Sequence, residues 1–366
     1  MSKRVLIAAS TMSHIRNFHL PYIRALRERG YTVSVMAAGE SADYPVPFRK
    51  SVFSPKNLLN ILRIRRILKK ERFDAVLVHT SLAAFLVRMA AKTMRRRPVV
   101  INTVHGYLFS DGKGLRNRLM LLCEKMCRRV TDYLFVMNRE DKAIAEKYRL
   151  AKTPPVFFYG MGLPADRLVP ESPDDAAALR RQYGLSENDI LCLFTGEFSR
   201  RKDQLFLIGL LPALPVHIKL CLLGQGAAFI DCRRAAEEYG VSDRVFMPGQ
   251  IADIAPYYAA ADLYLSAAHS EGLPFNILEA MAAGLPIVAT DVKGHCDLLR
   301  GAEDALLVLP GDRDGFRNAV LQMAERGRRR TAYATLPRYL LPNRLLPNTE
   351  MYVAAIEGKE IPHDGE

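Results

Sequence analysis

Two series of apolar strands and amphipathic helices alternate along the chain, and one stretch without either pattern separates them. The first series has strand patterns at 4–10, 31–38, 74–80, 98–104 and 132–138, with helix patterns at 16–29, 56–71, 83–94, 115–129 and 139–148. The second has strand patterns at 189–196, 217–224, 244–249, 262–268, 286–290 and 305–310, again with helices between them. Such alternation predicts βαβ units and parallel sheets with helices on both faces.

The stretch between the two series, "AKTPPVFFYGMGLPADRLVPESPDD" (151–175), is rich in Pro and Gly, as interdomain connections are. We therefore predict an α/β protein of two doubly wound, Rossmann-like domains, 1–165 and 166–345. Residues 346–366 form a C-terminal helix and tail, and the sequence leaves open whether it packs back on the first domain. Doubly wound sheets bind ligands at the carboxyl ends of their strands, so we expect the two sets of strand ends to face each other across a cleft.

The segment "HSEGLPFNILEAMAAGLPIVAT" (269–290) begins where a predicted strand ends. Pro274 suits the first turn of a helix, because its missing N–H would have no partner there. The helix is expected to run to about Ala283. Glu271 then lies in the loop before the helix, and Glu279 lies inside it. Backbone amides near Gly272 and Leu273 would sit at the helix N-terminus, where they can bind a phosphate.

Two carboxylates beside a helix N-terminus fit a sugar nucleotide. A carboxylate can accept hydrogen bonds from both hydroxyls of a diol, so one acid suits ribose and the other a sugar. The alternative is that Glu279 only caps the helix or forms a salt bridge on it. That helix is apolar nearly all round and is expected to be buried, so an acid within it needs a partner.

This segment resembles the E-x7-E signature of the family 4 retaining glycosyltransferases, which have the GT-B fold. The resemblance is to members of that family that assemble polysaccharides. The resemblance implies that Glu279 binds the nucleotide ribose. It also implies that Glu271 contacts the donor sugar near the reacting carbon, as a catalytic residue.

A second segment, "FTGEFSRRKDQ" (194–204), is similar to the G-R-L-x-x-x-K loop of the same family. The resemblance places Gly196 at the nucleotide and makes Lys202 the lysine that binds the diphosphate and stabilises its departure. Cations beside a helix start are what a leaving diphosphate needs. Glu197 occupies the position where the family has arginine, and Arg200 or Arg201 is our candidate to supply the missing charge.

Three weaker resemblances concern the nucleobase, the donor sugar and the acceptor. "MPGQIADIAPYYAAADLYLSAAHSEG" is similar to the family's base-binding loop and following helix, which implies that backbone at Gly249 and Ile251 lies near the base. "NTVHGYLFSDGKG" (102–114) is similar to the loop that carries a catalytic histidine, here His105. In the opening segment, His14 to His19 would border the acceptor site, although "STMSH" stands where the family has a glycine-rich loop.

The charge is divided unequally along the chain. The total is +13, but residues 1–165 carry +20 and the remainder −7. A basic half indicates an anionic partner, either nucleic acid or an anionic membrane surface, with solubility as the plain alternative. The segment "KNLLNILRIRRILKKERF" (56–73) is a cationic amphipathic helix of the type that lies on anionic lipid, which favours the membrane. The chain has no tryptophan and no basic motif interleaved with aromatic residues, so we expect no nucleic acid partner.

We expect a hexosyltransferase that moves a sugar, with retention, from a nucleotide donor to a lipid-linked or oligosaccharide acceptor in capsule or exopolysaccharide synthesis. UDP is the expected nucleotide, because it is the commonest donor nucleotide in the polysaccharide-assembly branch. We expect no cofactor and no metal, since no DxD-type acidic pair stands out. The six scattered cysteines suggest no disulfide framework and favour a reducing cytoplasm, with the enzyme on the inner membrane face.

Other classes of protein remain open at this point. A sugar-nucleotide epimerase of the same fold would need neither an acceptor nor a basic first domain, and the E-x7-E spacing argues against it. A non-catalytic subunit that binds a nucleotide or an anionic polymer is favoured only by Glu197 in place of arginine.

Overall fold

The computed structural model describes residues 2–49, 54–111, 114–169, 172, 174–327 and 329–362. Parts of three predicted segments lie outside this set: 112–113 in the His105 loop, 170, 171 and 173 in the connection, and 363–366 in the tail. The chain divides into one unit of Met1–Gly162 with Leu341–Glu366 and a second unit of Leu163–Leu340. The final helix belongs to the first unit.

The first unit contains a seven-stranded, entirely parallel sheet in the order β3-β2-β1-β4-β5-β6-β7. Its elements up to the division are β1 Arg4–Thr11, α1 Met12–Phe18, α2 Leu20–Glu28, β2 Thr32–Ala38, β3 Tyr44–Pro45, α3 Pro55–Glu71, β4 Ala75–Val78, α4 Ser81–Lys92, β5 Val99–Val104, α5 Leu115–Cys127, β6 Tyr133–Val136, α6 Arg139–Tyr148 and β7 Val156–Phe157. The single helix predicted at 16–29 is in fact two helices that meet at His19, where Leu20–Pro21 begins the second. Proline fits that first turn because its missing N–H has no intrahelical partner there.

The second unit contains a six-stranded parallel sheet in the order β10-β9-β8-β11-β12-β13. Its elements are a 3-10 turn Ala165–Leu168, α7 Asp175–Gln182, β8 Ile190–Thr195, α8 Gln204–Leu210, a 3-10 turn Leu211–Ala213, β9 Ile218–Leu223, α9 Phe229–Glu238, a 3-10 turn Ser242–Arg244, β10 Val245–Gly249, α10 Ala255–Ala260, β11 Leu263–Ser266, α11 Phe275–Ala282, β12 Ile287–Thr290, α12 Lys293–Leu299, β13 Ala305–Val308, α13 Arg313–Glu325 and a 3-10 turn Leu336–Tyr339. The final helix of the chain, α14, spans Leu341–Glu357.

Each sheet is covered by helices and has its own core. In the first unit, apolar side chains of β1, β4 and β5 pack against those of α3 and α4. In the second, the strands β8, β9 and β11 pack against α8, α9 and α13. The predicted fold class is confirmed, because both domains are doubly wound and every strand pair is parallel. None of the helices in the described part of the chain is both long and apolar enough to cross a membrane.

Helix α14 completes the core of the first unit. The ring of Tyr352 is fully buried and contacts the rings of Phe135 and Phe158. The side-chain amide of Asn348 donates to the Tyr22 hydroxyl at 2.9 Å and to the Gly160 carbonyl at 2.8 Å. These contacts fix the last helix against β6 and the segment that follows β7.

Candidate functional site

The candidate donor site lies where the strand order of the second sheet reverses. Strands β8, β9 and β10 run outward on one side, and β11, β12 and β13 on the other, so the switch point falls between β8 and β11. Open α/β sheets bind their ligands at this point, outside the carboxyl ends of the strands. The loop after β8 carries Lys202, and the loop after β11 carries Glu271, so the fold brings two of the three predicted catalytic residues together.

Lys202 and Glu271 form a buried ion pair. The Lys202 ammonium lies 2.6 Å from a Glu271 carboxylate oxygen, and both side chains are buried. Arg201 donates to the same oxygen at 2.8 Å and to the Ser270 carbonyl at 2.9 Å. Burial would raise the pKa of Glu271, but the positive charges of Lys202 and Arg201 outweigh it and hold that pKa below its ordinary value.

Of the two arginines proposed to compensate for Glu197, only Arg201 lies at Glu271. Arg200 and Glu197 are both exposed in the loop. The Glu197 backbone carbonyl accepts a hydrogen bond from the side-chain amide of Gln204 at 2.9 Å, which anchors the loop to the start of α8. Two cations, Lys202 and Arg201, therefore contact the Glu271 carboxylate.

Glu279 lies on α11 and is buried, as expected, with two partners. The Tyr258 hydroxyl donates to one carboxylate oxygen at 2.9 Å, and Arg167 forms an ion pair with the other. Arg167 comes from the 3-10 turn at the start of the unit and is half exposed. The expectation that an acid on this helix needs a partner is met by side chains 112 and 21 residues away. No local sequence pattern signals such partners.

A network of buried polar groups holds these residues in place. The hydroxyl of Thr195, at the end of β8, lies 2.8 Å from the Tyr258 hydroxyl and 3.2 Å from that of Tyr264. Asn276 on α11 donates to the Thr195 carbonyl at 3.1 Å. No sequence pattern points to any of these residues. They link the end of β8 to the helix that carries Glu279.

Three glycines with positive φ form a continuous backbone ridge along the same edge of the sheet. Gly196 and Gly224 follow β8 and β9, and Gly249 is the last residue of β10; their φ angles are 148°, 135° and 88°. The Gly196 amide donates to the Leu223 carbonyl at 2.9 Å, and the Gly224 amide to the Gly249 carbonyl at 2.8 Å. A Cβ atom at Gly224 would overlap the carbonyl oxygen of Gly196. The ridge gives a ligand close access to the backbone, and Ile251 lies just beyond its Gly249 end.

The loop before α11 is packed against the start of α12. Gly272, Leu273 and Pro274 precede α11, which begins at Phe275, so Pro274 caps the helix rather than standing within its first turn. A Cβ atom at Gly294 would lie 2.8 Å from the Gly272 carbonyl oxygen. This close approach fixes the Glu271–Gly272 backbone at the sheet edge.

His105 follows β5 in the first unit and belongs to a cluster of four histidines. Its Nε2 lies 3.1 Å from Nδ1 of His79, and its ring centroid lies 4.9 Å from that of His14 and 6.2 Å from that of His19. Burial lowers the pKa of His14 to about 4 and holds those of His19, His79 and His105 well below the ordinary value. The sequence patterns point to His105 and to the His14–His19 segment separately and do not place them in one cluster.

Two Rossmann-like units, with Glu271 and Glu279 near the switch point of the second, are the arrangement expected of a GT-B glycosyltransferase. Comparison with known proteins agrees. Residues 22–196 match the family model described as "Glycosyltransferase Family 4", and residues 189–326 match "Glycosyl transferases group 1". "Putative glycosyltransferase EpsD" of Bacillus subtilis (strain 168) is 31% identical over 334 residues, which cover 88% of each chain. The chain belongs to glycosyltransferase family 4.

Two further proteins extend the comparison. The "UDP-Gal:alpha-D-GlcNAc-diphosphoundecaprenol alpha-1,3-galactosyltransferase" of Escherichia coli is 24% identical over 278 residues, covering 74% of this chain and 71% of that protein. The crystal structure of Anabaena Alr3699/HepE in complex with UDP has a TM-score of 0.72 at 16% identity, covering 98% of this chain and 100% of that one. The second likeness concerns the fold alone.

Proposed function

We propose that this glycosyltransferase moves a hexose from a UDP-sugar to a hydroxyl group of a lipid-linked glycan, with retention of configuration and without a metal ion. The observation that carries the proposal is the buried Lys202–Glu271 pair at the switch point. Glu279 is also buried and lies about one turn into α11, the helix that follows Glu271. Two carboxylates suit the hydroxyls of a sugar and a ribose, and the cations suit a departing diphosphate.

Each predicted site residue then has one task. Glu279 accepts hydrogen bonds from the ribose hydroxyls, in place of its present bond from Tyr258. Glu271 contacts the donor sugar, and His105 is a further catalytic residue. Lys202, with Arg201, stabilises the negative charge that grows on the leaving UDP.

The backbone also contributes to binding. The nucleotide receives backbone contacts from Gly196, Gly249 and Ile251. The diphosphate lies at the start of α11, beside Gly272, Leu273 and Pro274, with Arg200 near it.

The relatives support this choice of donor and acceptor. The galactosyltransferase from Escherichia coli is named for a UDP-Gal donor, a diphosphoundecaprenol-linked acceptor and an α-linked product. Alr3699/HepE has the same fold and binds UDP. A lipid-linked acceptor places the enzyme at a membrane, and we propose the cytoplasmic face of the cell membrane during cell-surface polysaccharide assembly.

The surface of the first unit supports a membrane location. Helix α3 exposes Leu58, Leu59 and Leu62 to 66%, 67% and 51%, although its Ile64 and Leu68 pack into the core. Helix α5 exposes Leu115, Leu119, Leu122 and Met126 at the spacing of one helix face. A basic groove beside α3 is lined in part by Arg65, Lys69, Arg72, Arg95 and Arg96. Exposed apolar side chains beside cations are the pattern of helices that lie on anionic lipid.

The deciding experiment is transfer itself, with radiolabelled UDP-glucose, UDP-galactose, UDP-N-acetylglucosamine and GDP-mannose offered to an undecaprenyl-diphosphate sugar. We expect label to move into the lipid from one UDP-sugar, in the presence of EDTA, to give a product that an α-glycosidase cleaves. Glu279→Gln should weaken UDP binding, and Glu271→Gln should abolish transfer while UDP still binds. Conversion of the donor to its epimer without an acceptor would overturn the proposal in favour of an epimerase. Failure to bind any nucleotide would indicate a non-catalytic subunit.

A further inference from the structure

The histidine cluster of the first unit lies at the switch point of its own sheet. Strands β2 and β3 run outward on one side of β1, and β4 to β7 on the other. His79 follows β4 directly, His105 follows β5, and His14 lies on α1, just beyond the end of β1. The fold thus gathers imidazoles from three segments at the edge where such sheets bind ligands.

Three of the four rings are close enough to share one ion. One nitrogen from each of His14, His19 and His105 lies within 4.8 Å of the other two, the only such group of three potential metal ligands among the residues the structure describes. Nitrogen ligands on tetrahedral zinc are about 2.0–2.1 Å from the metal and hence about 3.4 Å apart. Small rotations of the rings would reach that spacing.

The cluster also contains buried nitrogens without partners. Nε2 of His14, His19 and His79 are each buried and have no hydrogen-bond partner among the described residues, and the His19 side chain is 1% exposed. A buried polar atom without a partner costs about 1–3 kcal/mol. Such atoms in a native fold require an explanation, and a bound ion is one of them.

We propose that His14, His19 and His105 form a binding site for a divalent transition metal, with Zn²⁺ as the preferred ion. Imidazole ligands suit zinc and its neighbours in the periodic table, whereas Mg²⁺ and Ca²⁺ prefer oxygen. Three histidines would leave one coordination position open. His79, 3.1 Å from His105, orients that ring through the hydrogen bond between them, as outer-sphere partners of metal ligands do.

The first test measures metal binding by the untagged, full-length protein after treatment with EDTA and dialysis. Calorimetric titration with Zn²⁺ should give one tight equivalent, and titration with Co²⁺ should give the intense visible absorption of a tetrahedral site. His79→Gln removes an outer-sphere partner and should weaken Zn²⁺ binding by about 10–100-fold. His14→Gln removes a ligand and should weaken it by more than roughly 100-fold. His217→Gln is the matched control, because His217 is exposed in the second unit, and it should change nothing.

The Co²⁺ spectrum of the wild-type protein decides the matter even if a variant misfolds. A weak octahedral spectrum, no bound equivalent, or equal affinity in a folded His14→Gln variant would each overturn the site. Circular dichroism before each titration establishes that the variants are folded.

One consequence rests on the proposed function, in which His105 is catalytic. A metal bound to His105 takes that ring away from the donor sugar, so Zn²⁺ should inhibit transfer, and EDTA should restore it. If Zn²⁺ binds without inhibition, the metal site stands and the catalytic role of His105 fails. If transfer proceeds and no metal binds, the metal site fails and the proposed function stands.

Discussion

Lys202 and Glu271 form a buried pair of opposite charges, and removing one or the other should have different effects on the enzyme. Glu271 keeps Lys202 compensated while no ligand is bound, and a diphosphate would supply further negative charge. In the proposed function, Lys202 therefore matters most when charge develops on the leaving group. Removing a residue that stabilises the transition state lowers the rate of the chemical step.

We predict that Lys202→Met lowers kcat by about 10²–10³-fold, the loss expected for one oriented donor to a developing anion. KM for the donor should change much less. Steady-state kinetics with the donor identified by the transfer assay would measure both. Lys359→Met, an exposed lysine in the first unit, is the control. A raised KM with an unchanged kcat would show that Lys202 binds the ground state and the transition state equally.

The pH dependence of stability tests the same pair. Because the folded-state pKa of Glu271 is held below its ordinary value, the ionised carboxylate stabilises the second unit above that ordinary value, 4.5. This contribution is lost as the pH falls through the lower folded pKa. We expect Glu271→Gln to lower the urea midpoint of the second unit at pH 7, and the difference from wild type to shrink between pH 5 and pH 3.

The control for that series is Glu197→Gln, which changes an exposed side chain in the neighbouring loop. It should leave the midpoint close to that of wild type throughout. A difference for Glu271→Gln that stays constant with pH would contradict the ion-pair account.

Helices α4 and α5 are joined by an ion pair that their sequence patterns do not reveal. Arg88 stands in an otherwise apolar stretch of α4 and is 1% exposed. Its guanidinium donates to both oxygens of Glu124 on α5, at 2.8 Å each. The partner lies 36 residues away, so only the packing of the two helices identifies it. Two charges can be buried here because each satisfies the other.

We predict that Glu124→Ala destabilises the first unit by about 3–5 kcal/mol, because it leaves the Arg88 charge buried without its partner. The double variant Arg88→Met with Glu124→Leu should recover most of that loss, since it removes both charges and keeps the volume. Urea unfolding followed by circular dichroism would measure both variants. A double variant as unstable as the single one would mean that the pair itself stabilises the fold.

At the scale of the whole molecule, charge and exposed apolar surface occur together in the first unit. The +20 of residues 1–165 and the exposed leucines of α3 and α5 belong to the same unit. The segment "KTMRRRP" (92–98) contributes Lys92, Arg95, Arg96 and Arg97 to this charge. Arg97 has a structural task instead, because it forms two hydrogen bonds with Asp132 at 2.5 and 2.8 Å. The membrane proposal therefore rests on the remaining cations, each worth about 1 kcal/mol near an anionic surface.

We predict binding to phosphatidylglycerol-containing vesicles at low salt, weakened by added salt, and little binding to phosphatidylcholine alone. Changing Leu58, Leu59 and Leu62 to glutamine should reduce binding to anionic vesicles, because these side chains would insert into the lipid. Vesicle sedimentation gives the bound fraction. The control is Val216→Gln with Ile230→Gln, two exposed apolar residues of the second unit. Equal binding by the leucine variant would exclude α3 as the docking helix.

The sequence by itself determined the fold class and the position of the candidate donor site. Alternating periodicities fix which segments are strands and which are helices, and βαβ connections leave parallel sheets as the outcome. The site was predictable because Glu271 and Lys202 both follow strands, and the carboxyl ends of parallel strands share one edge. Local patterns also placed Glu279 on a buried helix.

Only the tertiary structure decided the partners of these residues. Arg167 and Tyr258 reach Glu279 from separate elements, and Arg201 rather than Arg200 reaches Glu271. The four histidines meet because β1, β4 and β5 are neighbours in the sheet. Contacts of this kind join residues far apart in the chain, and side-chain periodicity carries information only about near neighbours. The physical reason is that periodicity reports which face is buried, whereas packing decides what it is buried against.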